Sequence, residues 1–270
     1  MKEYDFYIVP TPIGNLGDIT NRAIEVLRAV DIIACEDMRV TQKLLNHFDI
    51  KTKCISYHKF NEKERLKLFL DIINSGKKMA LVSDAGTPLF CDPGAILVDE
   101  LRKNNIKVTA LPGANALVTF LSQVPRESEE FTFVGFLPKT KSQMLDVLKK
   151  SQKSDIIFYE SPNRLMSTLE IISEYNPYAK VAIGRELTKM YEEVVIDNVK
   201  NTIKHFKENT LKGEIVGMLY KSCENEDDLD LEEKINLLKS KNFKAKEIST
   251  ILAALYNLNK NDVYRRLIQE

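Results

Sequence analysis

Along residues 1–221 the apolar positions switch repeatedly between short unbroken runs and positions three and four apart. The runs predict buried strands and the spaced positions predict amphipathic helices. Phe6–Val9, Asp31–Cys35, Lys53–Tyr57, Met79–Ser83 and Lys107–Leu111 read as strands. Between them Asn21–Val30 reads as a helix opened by Thr20, followed by helices at Val40–Phe48, Asn61–Ser75 and Ala95–Asn104. In the third of these, Leu66, Phe69, Leu70 and Ile73 share one face, and Gly76 is placed to close it. A second series begins near Phe131, with strands at Phe131–Gly135, Ile156–Tyr159, Val181–Gly184, Glu193–Ile196 and Gly213–Leu219. Its helices are Ser142–Lys150, Leu165–Tyr175 and Val199–Glu208. Pro125 and four charged residues interrupt the pattern at Gln123–Glu130, which sets a boundary between domains 1–124 and 125–221. Strand–helix alternation of this kind predicts an α/β fold of two doubly wound, mostly parallel sheets.

The pattern stops at residues 222–233, where seven carboxylates stand with no basic residue; this reads as an acidic linker. Residues 234–270 carry eight Lys or Arg against three acids and repeat at helix spacing through Ile248, Ile251, Leu252 and Leu255. They read as a basic helical tail, either packed for stability or gripping RNA. The whole chain balances 39 basic against 39 acidic residues, which argues against a nucleic-acid coat over the entire surface. An apolar content of 44% is enough for packed cores and excludes disorder as the main state. No run of about 18 apolar residues suggests a membrane span. The start shows no signal-peptide pattern, so a cytoplasmic location is expected. Cys35, Cys54, Cys91 and Cys223 lack metal-type spacing and read as buried reduced thiols. His47, His58 and His205 have no ligand spacing either, so no metal is expected.

In open α/β sheets ligands gather at the carboxyl ends of strands. Three loops at such ends are dense in Gly, Pro and hydroxyls: Thr11-Pro12-Ile13-Gly14-Asn15, Ser83-Asp84-Ala85-Gly86-Thr87-Pro88 and Pro112-Gly113-Ala114-Asn115-Ala116. They let a ligand approach the main chain closely, and they are also how compact α/β proteins turn corners. Neither a dinucleotide-binding nor a P-loop glycine fingerprint is present, and no serine-hydrolase elbow. Charged clusters follow three strands: Glu36-Asp37 with Arg39, Glu160 with Arg164, and Arg185-Glu186 with Lys189. Each alone can be a surface ion pair or a helix cap. Together on one edge they suggest a polar active-site rim.

Val9-Pro10-Thr11-Pro12-Ile13-Gly14-Asn15-Leu16, with Asp18-Ile19-Thr20, resembles the opening of the ribosomal small-subunit methyltransferase I family. That family belongs to the tetrapyrrole-methylase-like, class III S-adenosylmethionine-dependent methyltransferases. Cys35–Arg39, Ser83–Pro88, Asp92-Pro93-Gly94, Leu111-Pro112-Gly113, Gly135–Pro138, Tyr159–Pro162 with Arg164, and Arg185–Lys189 match its pattern in order. The resemblance implies S-adenosylmethionine bound in a cleft between the two domains, usually in a homodimer. The reaction it implies is 2′-O-methylation of a cytidine in the decoding region of 16S rRNA, with the assembled small ribosomal subunit as partner and no membrane.

Thr11, Pro12, Gly14, Asn15, Ser83–Pro88 and Gly113–Ala116 are then expected around the cofactor. Glu36, Asp37, Glu160, Glu186 and Lys189 are candidates to take the hydroxyl proton. Arg39, Arg164 and Arg185 are candidates to hold flanking phosphates. A tetrapyrrole or a modified protein histidine is the alternative acceptor. A non-catalytic cofactor-sensing assembly factor is the alternative of another class. The chain departs from the family pattern at Pro10 (usually Ala), Met38 (Thr), Leu89-Phe90-Cys91 (Gly-Ile-Ser), Ala114-Asn115 (Pro-Ser) and Asn163 (His).

Overall fold

Ile32–Cys35 (β2) and Met79–Val82 (β4) are buried along their whole length, as strands covered on both faces must be. The computed structural model describes residues 4–126, 128–151, 153–209, 211–221, 234–256 and 258–268. In it β2 and β4 join β1 (Phe6–Ile8), β3 (Lys53–Ser56) and β5 (Val108–Ala110) in a parallel sheet of order β3-β2-β4-β1-β5. Alternate residues face opposite ways. Phe6, Ile32, Met79 and Leu81 pack with Phe69 of α3 (Glu62–Asn74) and with Leu97 and Leu101 of α4 (Ala95–Lys103). Val9, Ile33, Ala80 and Val82 pack with Ala23 and Leu27 of α1 (Asn21–Ala29) and Leu45 of α2 (Met38–His47). The chain therefore leaves β1 toward one face and the neighbouring β4 toward the other, which opens a crevice at their carboxyl ends.

The second sheet has the order β6-β7-β10-β8-β9, from β6 (Phe131–Phe136), β7 (Asp155–Glu160), β8 (Lys180–Arg185), β9 (Glu193–Asn198) and β10 (Ile215–Leu219). Only β6 and β7 are parallel neighbours; β9 runs antiparallel to β8, and β10 runs antiparallel to both β7 and β8. Residues 186–192 are too few for a crossover helix, so β9 must return antiparallel. Helix α8 (Val199–Glu208) then brings β10 back in the direction of β9. The sheet is thus mixed where a mostly parallel one was expected.

Its two faces also differ. Helices α6 (Lys141–Ser151), α7 (Pro162–Tyr175) and α8 cover one face through residues such as Leu148, Leu169 and Phe206. The other face, with Ile157, Ala182, Val216 and Met218, packs on Ile13, Leu187 and on Leu117 and Phe120 of α5 (Ala116–Leu121). Only six residues long, α5 has no repeat for periodicity to find. Asn115 starts it by accepting the Leu117 and Val118 N–H groups at 3.0 and 3.3 Å.

Residues 221–270 cluster as a separate compact unit. In it α9 (residues 234–240), α10 (Ala245–Tyr256) and α11 (Lys260–Ile268) share a small core of Ile235, Ile248, Leu252, Val263 and Leu267. The helical tail is as the sequence suggested. The acidic stretch 222–233, with Cys223, lies outside the described residues.

Phe120 meets β8 at Gly184, where an added Cβ would stand 2.6 Å from the ring. Gly184→Ala should therefore destabilise the protein by about 1–3 kcal/mol. Combined with Phe120→Leu, the loss in denaturant unfolding should be smaller than the sum of the two single losses. Strict additivity would show that the ring does not bear on this strand.

Candidate active site

The loops after β1 and β4 are fastened to each other. Thr11 and Gly86 exchange both backbone hydrogen bonds at 2.9 Å. The Thr11 hydroxyl donates to the Ser83 carbonyl at 3.1 Å, and Ser83 Oγ donates to the Ala85 and Gly86 carbonyls at 3.2 Å. Gly86 holds φ +77°, which glycine alone adopts freely. Thr87 ties the third loop in by donating to the Ala114 carbonyl at 3.0 Å. A Cβ on Gly113 would stand 2.6 Å from Pro10 Cβ, so the ring at Pro10 requires glycine opposite. The hydroxyls and amide expected to touch a cofactor are therefore largely spent on shaping loops. Asp84–Thr87, Asn115 and Ala116 line a cleft of about 420 Å³. Thr11, Pro12, Gly14 and Ser83 line a second cavity of about 200 Å³ instead. Asn15 caps the 3-10 turn Leu16–Asp18, and Asn15, Pro88, Gly113 and Ala114 line neither space.

The opposite wall of the cleft comes from the second sheet: Phe136, Tyr159–Pro162, Leu187 and Gly213–Val216. Because β10 is antiparallel, its first residue Ile215 lies beside both Glu160 and Arg185, the last residues of β7 and β8. A strand beginning, and not a strand end, thus completes the site. Phe90 reaches across to this wall and stacks on Phe133, with ring centroids 4.9 Å apart; Phe133 in turn meets Tyr159 edge-on at 5.0 Å. Leu89, just before it, holds φ +69°. Cys35 is buried, Cys54 is half-buried and Cys91 is exposed on this loop, so only the first fits the expectation of buried thiols. Asp92, Phe90 and the Gly213–Val216 segment were not picked out as site residues from the sequence.

The charged clusters separate into two kinds. Glu160 is buried with both oxygens engaged: Oε1 accepts the Ser161 N–H at 2.8 Å, and Oε2 accepts the Thr168 hydroxyl at 2.8 Å and faces Arg164 at 3.2 Å. Arg164 also donates to the Leu137 and Pro138 carbonyls. Arg185 is held by Glu193 at 3.0 Å, and His205 faces the other oxygen of Glu193 at 2.6 Å. Lys189 lies between Glu186 at 2.7 Å and Glu214 at 3.0 Å. Burial pulls this ammonium down, but its carboxylate partners outweigh burial and hold its pKa above the usual lysine value. These residues bind protein groups, and among them Glu160 and Glu214 line the cleft.

Asp37 caps α2 and grips Arg39 through Nε and Nη2, and these bonds lower its pKa to about 2. Glu36, Asp84 and Asp92 behave oppositely. Burial raises all three, and neighbouring carboxylates add to it: Asp84 beside Glu36 and Asp92, and Asp37 beside Asp84. The charged residues lining the cleft are Asp84, Asp92, Glu160 and Glu214, with no Lys, Arg or His among the described residues. The cleft therefore suits a cationic ligand with apolar and hydrogen-bonding parts.

The family model for Tetrapyrrole (Corrin/Porphyrin) Methylases matches residues 5–202. A protein of Halalkalibacterium halodurans named "Ribosomal RNA small subunit methyltransferase I" is 47% identical over 77% of this chain and 73% of its own length. The Escherichia coli O157:H7 protein of the same name is 40% identical over 98% of this chain and 94% of its own. Among solved structures, a diphthine synthase superposes with a TM-score of 0.63 at 12% identity, covering 80% of this chain and 90% of that one.

The raised carboxylates carry a stability consequence. Each holds its proton to higher pH in the folded chain than in the unfolded one, so stability falls as pH rises through that window, and the penalty is complete above it. Asp92→Asn should raise the thermal midpoint of the protein at neutral pH, with the gain shrinking as pH falls toward about 4 and the raised Asp92 carboxyl takes up its proton. A gain that did not shrink with falling pH would rule out charge as its source.

Proposed function

Since the chain belongs to the ribosomal RNA small subunit methyltransferase I family of tetrapyrrole methylases, we propose that it methylates the ribose 2′-hydroxyl of a cytidine in the decoding region of 16S rRNA. S-adenosylmethionine is the donor. When bound, it supplies an electrophilic methyl group whose transfer leaves the C–S bonding pair on a neutral thioether. The observation that carries this reading is the cleft whose charged walls are all carboxylates. A sulfonium with an ammonium and one carboxylate is net positive, and it complements such walls. Ile13, Leu187, Ile215 and Val216 give the cleft apolar surface, and the main chain of Asp84–Thr87 and Asn115–Ala116 offers hydrogen-bonding groups to a polar ligand.

In-line methyl transfer asks mainly for positioning and exclusion of water. The loops fastened at Thr11–Gly86 and Thr87–Ala114 hold one wall rigid. A ribose hydroxyl also needs a group to take its proton. Asp37, Glu160, Glu186 and Lys189 are committed to partners, which leaves Glu36 after β2 and Asp84 after β4 as the carboxylates suited to that role. The basic tail adds affinity for the folded ribonucleoprotein, the small subunit, which this protein meets in the cytoplasm as a homodimer.

Supplying methyl-labelled donor with unmodified small subunits, and separately with naked 16S rRNA, should place label on a decoding-region ribose, with the subunit preferred. Label on a base, or none, would refute the assignment. Deleting residues 234–270 should weaken binding to the subunit severalfold and leave donor affinity unchanged; equal losses in both would make the tail a purely structural element.

A further inference from the structure

The second cavity, about 200 Å³, lies between α2 and the loop that follows β1. Asp84 is the one residue that lines both this cavity and the donor cleft among the described residues. The geometry points to the cavity as the seat of the nucleotide that receives the methyl group, with Asp84 taking the proton of its ribose hydroxyl. The inference rests on the reading of the large cleft as the donor site.

Three features of the cavity support it. Its sides are apolar, from Pro12, Leu16, Val40 and Leu44, while its floor is made of the buried hydroxyl residues Thr11, Thr41 and Ser83. Apolar sides around a floor of hydrogen-bonding groups suit a ring with polar edges, as a nucleoside has. Thr11 and Ser83 spend their protons on backbone carbonyls. The buried Thr41 Oγ1 makes no hydrogen bond of ordinary geometry among the described residues.

The charge of the cavity contrasts with that of the cleft. Lys43 stands at its rim, exposed and with no ion-pair partner among the described residues, one turn along α2 from Arg39. A cation there suits a phosphate flanking the target, whereas the carboxylate cleft repels one. A polyanion and a cation are thus drawn to adjoining spaces whose common wall is Asp84.

Asp84 is also fixed in place. Its Oδ1 accepts the Asp37 N–H, at the start of α2, at 3.0 Å. As the ribose oxygen forms its bond to the methyl carbon, the C–S bond breaks with its pair kept by sulfur. The hydroxyl proton passes to the Asp84 carboxylate, which later yields it to water. Burial and the Asp37 charge disfavour the ionised form of Asp84, while the Asp37 N–H and Arg39 favour it; Glu36, Asp92 and the Cys35 thiol are the other titratable groups that feel its charge.

The test uses the full-length protein and small ribosomal subunits. Subunit binding is measured without donor, donor binding by calorimetry, and single-turnover methyl transfer at saturating donor. Leu44→Trp, which fills the cavity, and Lys43→Glu, a surface change that leaves packing alone, should each weaken subunit binding about tenfold or more while donor affinity stays unchanged. Asp84→Asn should keep subunit binding, slow transfer by about a hundredfold or more and lose the acid limb of the pH–rate profile. Wild-type transfer with both cavity variants retaining subunit affinity would overturn the cavity assignment. Full-rate transfer by Asp84→Asn would overturn its role as proton acceptor. A wild-type chain that binds donor yet methylates no rRNA would instead refute the methyltransferase reading.

Discussion

Lys189 holds the two sheets to one geometry around the cleft. Its stem lies over Gly14, where an added Cβ would fall 2.4 Å from Lys189 Cγ, and its ammonium sits between Glu186 and Glu214. The loop after β1 is thereby pinned beside the residue that leads into β10. Glu186 and Thr188 hold φ +53° and +66° to make this possible, and Gly213, at φ +94°, leaves space for the Glu186 carboxylate. Left-handed backbone at a non-glycine residue costs about 1 kcal/mol or more, so the ion-paired lysine and the shared core around Phe120 must hold these residues in place. A motif whose charges suggested chemistry turns out to fasten the walls between which chemistry can occur.

The first sheet was legible because its strands are short, wholly apolar and separated by capped helices, so period and punctuation agree. The loops after β1 and β4 followed from that, and Asp84–Thr87 do line the cleft. The second sheet was harder to read. Strand direction is not written in an apolar run, and assuming parallel neighbours puts Gly213–Val216 at the wrong edge. Helix α5 escaped notice because six residues hold no repeat, although Asn115 was recognised for its place in the loop and serves as the cap. Glu160 looked like a reactive carboxylate beside an arginine. Its environment, with Thr168 eight residues later on α7, is a tertiary fact that spacing does not reveal.

The departures from the family pattern also acquire physical content. Leu89 stands at φ +69° where the pattern has glycine, so this chain keeps the backbone turn and accepts the strain. Its neighbour Phe90 gains a stack on Phe133 that a smaller side chain cannot make, which joins the loop to the second sheet. The loops after β2 and β4 crowd carboxylates together. Glu36, Asp84 and Asp92 are each held above their ordinary pKa by burial, with the charge of Asp84 adding to the raise on Glu36 and Asp92 and that of Asp37 to the raise on Asp84. Sites arranged for function often sacrifice stability in this way, and a bound cation relieves the repulsion that the folded chain otherwise carries.

That electrostatic fit is the centre of the account, and calorimetric titration of the wild-type protein with S-adenosylmethionine and with S-adenosylhomocysteine from about pH 7 down to about pH 4 tests it most directly. The sulfonium should lose affinity as the carboxylates take up protons, while the neutral thioether holds its affinity, so the ratio of the two Kd values changes with pH. Parallel pH dependence for both compounds would contradict the claim that the carboxylate walls recognise the charge of the donor.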